Sequence, residues 1–170
     1  MQSSAKYLRT RTLSWSGNVR RVLVVEDDPD QTLLLEDFLE SYFYRVTAAT
    51  NGVEALKAVM DADFDVILCD VVMPTMAGDM FYHAVQRVKP HLCERFIFLT
   101  AHPENLRVKD FLNRVSGMVL MKPFHLDDLL EMILLLFREL EDPATKLAVP
   151  EVTADTPIHP PIVLRDGLRA

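Results

Sequence analysis

Cysteine is scarce in this 170-residue chain: there are two, Cys69 and Cys93, and their separation matches no metal-binding spacing. That excludes a disulfide scaffold or a zinc module as the organising principle. Cys69 lies in the apolar run Val66-Ile67-Leu68-Cys69, where a free thiol is expected to act as a small apolar side chain. No apolar run approaches the roughly 20 residues that cross a bilayer, so no membrane contact is expected. The N-terminus carries basic residues but no apolar stretch behind them, so no secretory signal is read there. Positive charge is in deficit, with a net charge of -7. This argues against nucleic-acid binding by the body of the chain. A cytoplasmic protein is expected.

What is present is apolar and alternating. Hydrophobic residues make up 49% of the chain, which is incompatible with wholesale disorder. The length suits one domain with tails. Residues 1–19 are polar and aperiodic, and the first 21 residues hold Lys6, Arg9, Arg11, Arg20 and Arg21 without an acid. They read as a flexible basic extension, with Trp15 the one residue able to dock onto something. Residues 142–170 hold five of the ten prolines and are expected to be extended or disordered. Between these tails, residues 20–141 alternate strand and helix five times. The strands centre on Val22-Val25, Val46-Ala48, Asp65-Cys69, Phe96-Leu99 and Met118-Met121. Helical spacing of Leu34, Leu35, Phe38, Leu39 and Tyr42 follows the first strand, with Pro29 in its first turn and Asp28 as N-cap. Strands that are apolar throughout, each followed by an amphipathic helix, predict a doubly wound parallel α/β sheet covered on both faces.

Four of these strands run into chemistry. The first is followed by Glu26-Asp27-Asp28, the third by Asp70, the fourth by Thr100, and the fifth by Lys122-Pro123. In open α/β sheets ligands sit outside the C-terminal strand ends. Carboxylates from Glu26, Asp27 and Asp70 would repel one another unless a dication such as Mg²⁺, which prefers oxygen donors, sat among them. One carboxylate oxygen of Asp70 is then available to attack phosphorus, while Lys122 offsets charge on the phosphoryl oxygens and Thr100 donates from its hydroxyl. Each residue has a plainer reading: Asp28 and Thr100 as helix caps, Lys122 as a solvated turn lysine. Four such residues at four strand ends favour the shared site.

Val-Leu-Val-Val-Glu-Asp-Asp-Pro, Asp-Val-Val-Met-Pro-Thr-Met-Ala-Gly, Phe-Leu-Thr-Ala and Met-Lys-Pro-Phe, over about Arg20 to Glu141, resemble the receiver domain of two-component response regulators. The resemblance implies a flavodoxin-like five-stranded sheet in the order 2-1-3-4-5. It implies phosphoryl transfer from a sensor histidine kinase or a histidine phosphotransfer protein onto Asp70, the phosphoacceptor. Asp27 would be the principal acidic Mg²⁺ ligand, with Glu26 binding directly or through water and the backbone carbonyl of Val72 completing the protein ligands. Thr100 would be the mobile hydroxyl and Lys122 the phosphate-binding lysine, followed by a cis peptide to Pro123. Such a protein is a phosphoacceptor that catalyses its own phosphotransfer and dephosphorylation rather than an enzyme with a separate substrate.

Two positions depart from the family pattern. Val119 stands where an aromatic residue often turns inward as the threonine moves. Val72 stands where some relatives carry a polar side chain, and with His102 it is expected to tune the lifetime of the phosphoryl group. On the last helix, Leu129, Leu130, Ile133, Leu134, Phe137 and Leu140 are expected to face the core. Met132, Leu135 and Leu136 are expected to form a second, exposed stripe that serves a homodimer, a downstream target protein or a terminal segment. No recognition-helix pattern follows Glu141, so a stand-alone receiver is expected, acting by protein contact or phosphorelay. A degenerate receiver acting as a constitutive interaction domain is the alternative. A haloacid-dehalogenase-type phosphatase is a weaker one, because it needs a second Asp where Val72 stands.

Overall fold

A computed structural model of the chain describes residues 19–141. The expectations for the two tails, and for Trp15, lie outside the described residues. Five strands, β1 (Arg21–Val25), β2 (Arg45–Ala49), β3 (Val66–Asp70), β4 (Phe96–Thr100) and β5 (Met118–Met121), alternate with five helices. These are α1 (Pro29–Ser41), α2 (Gly52–Asp61), α3 (Gly78–Val88), α4 (Leu106–Leu112) and α5 (Leu126–Glu141), and a 3-10 turn, Pro90–Arg95, precedes β4. The sheet is wholly parallel in the order β2-β1-β3-β4-β5. Both the expected topology and the expected strand order are therefore present.

The side chains of each strand alternate between two cores. Leu23, Val25, Ile67, Cys69, Phe96 and Phe98 point to the layer formed by α2, α3 and α4. Val22, Val24, Val66, Leu68, Ile97 and Leu99 point to the layer formed by α1 and α5. All twelve are wholly buried. A buried aliphatic or aromatic side chain contributes about 1.5–3 kcal/mol of transfer free energy, so the central strands anchor the whole domain.

Local chemistry sets the helix ends. The Asp28 carboxylate accepts from the Asp30 and Gln31 N–H groups at the start of α1, and Asn51 and Asn105 cap α2 and α4 in the same way. α1 closes with Phe43 in the left-handed region, at φ 63°. Its N–H donates to the carbonyl of Glu40, and that of Tyr44 donates to Leu39.

The last helix corrects one expectation. Met132 and Leu136 are not exposed: they are 1% and 2% accessible and pack in the α1/α5 core beside Leu129, Ile133 and Phe137. Leu134 is instead exposed, Leu130 is half-buried, and Leu135 rests partly buried against the core. The stripe was misplaced because an almost continuous apolar run leaves the helical phase undetermined. Asp127, Glu131 and Arg138, the exposed charges between the leucines, fix it. Two of the three residues named for a homodimer surface thus belong to the interior.

Candidate functional site: an acidic pocket at the C-terminal sheet edge

β1 ends at Val25, and the next two residues diverge. The Glu26 N–H donates to the carbonyl of Ala49 on β2, which holds the Glu26 backbone against the sheet, and its side chain is buried. Asp27 turns outward and is exposed. On the neighbouring strand β3, Asp70 is the last residue and is only 8% accessible. The N–H of Val72 donates to Asp70 Oδ1 at 2.8 Å, which orients the carboxylate. The N–H of Val71 donates to Leu99 of β4 and that of Gly78 donates back to Val71, so the loop after Asp70 is pinned to the sheet.

β4 delivers Thr100 fully buried at its end. Its hydroxyl accepts from the His102 N–H at 3.2 Å, and its carbonyl accepts from the Lys122 N–H at 2.8 Å. That second bond carries Lys122 past the end of β5 into the pocket, and the Lys122–Pro123 peptide is cis, as expected. The Lys122 ammonium donates to Glu26 Oε2 and Asp70 Oδ2, both at 2.6 Å.

The electrostatics follow from that arrangement. Burial pushes the Glu26 carboxyl above its ordinary value; the hydrogen bond and charge of Lys122 offset this only in part, and the nearby Asp70 carboxylate adds to the rise. Burial alone would lower the Lys122 ammonium, but hydrogen bonds to Asp70 and Glu26 more than reverse it, so its pKa is raised and the group stays charged. Ligand oxygens of Glu26, Asp27 and Asp70 lie within 4.8 Å of one another. Among the described residues, three carboxylates face one ammonium, which leaves the pocket short of positive charge, and the free donor atoms are oxygens. This is the donor set of a hard dication, with exposed Asp27 on the solvent side.

Of the expected site residues, Glu26, Asp27, Asp70 and Lys122 are brought together by side-chain atoms. Thr100 borders them through its backbone bond to Lys122, while its described side-chain bond is to His102. Val72 meets Asp70 through its amide, and its side chain points to solvent with 52% exposure. Asp28 caps α1, and its bonds to the N–H groups of Gln31 and Asp30 hold its carboxyl below the usual range. Val119 is buried at 8% exposure, a small aliphatic beside Phe98 in the β4–β5 register.

Gly78 is a site residue that spacing alone did not single out. A Cβ there would stand 2.4 Å from the Asp70 carbonyl oxygen and 3.0 Å from Cys69 Sγ. Only the glycine in Met-Pro-Thr-Met-Ala-Gly hinted at such a close approach.

Comparison with known proteins agrees with this geometry. The sequence profile of the response regulator receiver domain matches residues 22–134. The chain is 33% identical over 115 residues to the response regulator receiver protein CpdR of Brucella abortus, covering 68% of this chain and 94% of that protein. It is 37% identical over 110 residues to the sensor histidine kinase TmoS of Ectopseudomonas mendocina, covering 64% of this chain but only 11% of that protein. Among solved structures, the Vibrio cholerae chemotaxis protein CheY4 superposes with a TM-score of 0.61 at 31% identity, covering 70% of this chain and 99% of that one. The response regulator TrrA of Thermotoga maritima, in complex with Mg²⁺-BeF, superposes with a TM-score of 0.58 at 28% identity over 69% and 99%.

The five-stranded doubly wound sheet thus carries an acidic pocket and a half-buried lysine at its C-terminal edge, on a fold shared with receiver proteins. The chain belongs to the response regulator receiver domain family of two-component signalling. That membership removes the haloacid-dehalogenase reading. Among the described residues no helix is long and apolar enough to cross a membrane.

Proposed function

We propose that Asp70 accepts a phosphoryl group from a sensor histidine kinase or a histidine phosphotransfer protein, and that the phosphorylated domain then acts through contacts with a downstream protein or by passing the group on. The observation that carries this reading is the 2.6 Å contact between Lys122 Nζ and Asp70 Oδ2, in a pocket where Glu26 and Asp27 add two further carboxylates. In the transfer, an Asp70 oxygen forms the new bond to phosphorus as the P–N bond of the phosphohistidine breaks. The bonding pair leaves with the imidazole, which retains or takes up a proton. Asp70 is held for attack by the Val72 N–H. Lys122 moves its ammonium from two carboxylates toward the incoming phosphoryl oxygens, and Thr100 supplies a hydroxyl from the next strand.

Glu26, Asp27, Asp70 and the Val72 carbonyl would hold Mg²⁺, as the domain's cofactor. Bound there, the ion would offset charge on the phosphoryl oxygens. The residues support this through their all-oxygen donor set and unbalanced negative charge. The proposed donor carries its phosphohistidine in the cytoplasm, and that is where this role puts the receiver domain, residues 20–141.

The test is intact mass after incubation with Mg²⁺ and acetyl phosphate. One labile phosphoryl group gained by the parent, absent from Asp70→Asn and absent in EDTA, supports the reading. A folded protein that gains nothing would refute it. That result would favour a constitutive interaction domain, the reading that Val119 supports, since the buried valine lacks an aromatic ring to carry a phosphorylation signal.

A further inference from the structure

The two helical layers differ sharply in charge. α1 and α5 together carry nine carboxylates and a single cation, Arg138. α2, α3 and α4 carry four carboxylates, balanced by Lys57, Arg87, Arg107 and Lys109. The acidic layer also has apolar side chains at its surface, with Leu134 exposed and Leu130 half-buried on the outward side of α5.

The chain entering β1 is already seated on that layer. The Arg20 guanidinium lies over the Phe137 ring, 3.6 Å from its centroid, and donates to Glu141 Oε1 at 3.0 Å. A cation on an aromatic face with a carboxylate at its edge is a specific contact. It holds Arg20, near the start of the described residues, beside the C-terminal end of α5. The sequence before Arg20 includes Lys6, Arg9 and Arg11 and no acid.

We propose that this basic segment docks across the acidic α1/α5 face of its own chain, with Arg20 as the first contact, Trp15 on Leu130 and Leu134, and Arg11, Arg9 and Lys6 among the carboxylates beyond. The reach is sufficient. Five extended residues from Arg20 to Trp15 span about 17 Å, and the rise along α5 from Phe137 to Leu130 is about 10 Å. From Arg20 to Lys6 the chain reaches about 46 Å, longer than the roughly 24 Å of α5 itself. Being tethered, the segment faces the surface at a local concentration on the order of millimolar, so individually weak exposed ion pairs suffice in combination. A segment lying there would compete with any basic partner for the most acidic face of the domain.

Trp15 is the only tryptophan in the chain, so its fluorescence reports on the segment alone. Acrylamide quenching of the full chain is compared with Lys6→Glu/Arg9→Glu/Arg11→Glu, with Glu131→Lys/Glu141→Lys, and with Glu54→Lys on the opposite layer. Far-ultraviolet circular dichroism checks that each is folded. The expected result is a low quenching constant in the parent. It rises about twofold in both charge-reversed variants and in about 0.5 M NaCl, where screening shortens the reach of the charges, and it is unchanged in Glu54→Lys. A parent constant equal to that of a free peptide of residues 10–20 would overturn the proposal. An equal effect of Glu54→Lys would overturn it as non-specific attraction. Protection that disappears on dilution would overturn it in favour of docking onto a second copy.

Discussion

Replacing Lys122 with methionine keeps most of the side-chain volume and removes the one cation that the described residues bring to the pocket. The side chains of Glu26, Asp70 and Lys122 are 2%, 12% and 14% accessible, and both ion pairs are 2.6 Å long. Losing one partner of a fully buried pair costs about 3–5 kcal/mol because the other charge is left uncompensated. Here exposed Asp27 marks an open side through which water reaches the carboxylates, so a loss of about 2 kcal/mol is expected in the absence of metal. For the 123 described residues (19–141), unfolding entropy near 2.1 cal/mol/K per residue converts this into a fall in Tm of about 8 °C. The assay is thermal unfolding followed by circular dichroism in EDTA and again in Mg²⁺. Asp70→Asn in the Lys122→Met background removes one of the two stranded carboxylates and is expected to recover about half of the loss. Mg²⁺ is expected to raise the Tm of Lys122→Met more than that of the parent, because a dication replaces the missing charge. A Lys122→Met protein that melts within about 1 °C of the parent in EDTA would refute the claim that the ammonium holds the pocket together.

Gly78→Ala is expected to destabilise by about 3 kcal/mol, read in urea unfolding, because the added methyl would press on the Asp70 carbonyl oxygen and the backbone cannot give way cheaply. Leu136→Ala is expected to cost about 3 kcal/mol and Leu134→Ala under about 1; equal losses would contradict the helical phase of α5 seen here. The Lys89 hydrogen bond holds the exposed Asp63 carboxyl below its ordinary 3.8. A depressed folded pKa means stability that is present above 3.8 and lost as pH falls through the folded value, so Asp63→Asn should flatten the acid side of the Tm–pH curve below about pH 4. Val72→Asn places a polar group at the 52% exposed position beside Asp70. It is expected to change the decay rate of the phosphorylated form, measured by intact mass over time.

How far the sequence could be read depended on what each residue leaned on. The strands were legible because β1, β3 and β4 are apolar at nearly every position, a pattern that only a sheet covered on both faces tolerates. Asp70 and Lys122 were legible because a polar residue closes each run, and the parallel register brings the ends together. Asp28 announced itself as a cap by preceding proline. The phase of α5 was not legible, since nearly every position between Leu129 and Phe137 is apolar and periodicity needs contrast. Nor was Tyr82, whose ring packs against Phe96, Phe98 and Phe111 while its hydroxyl accepts from the Ser116 N–H. That position reads as an ordinary helix residue until strands distant in sequence are folded against it.

The bond between Lys122 and Glu26 joins residues 96 positions apart. In the order of synthesis, the acids that follow β1 emerge first and the lysine after β5, so no N-terminal fragment that stops short of Lys122 contains the pocket. Contacts of such long range form late, after the loops between them have been closed. A nascent or clipped chain therefore presents an acidic strand edge with no ammonium to organise it. The completed pocket acts as a checkpoint on the whole sheet: only a chain that has docked its last strand has the full set of residues proposed to take up a phosphoryl group.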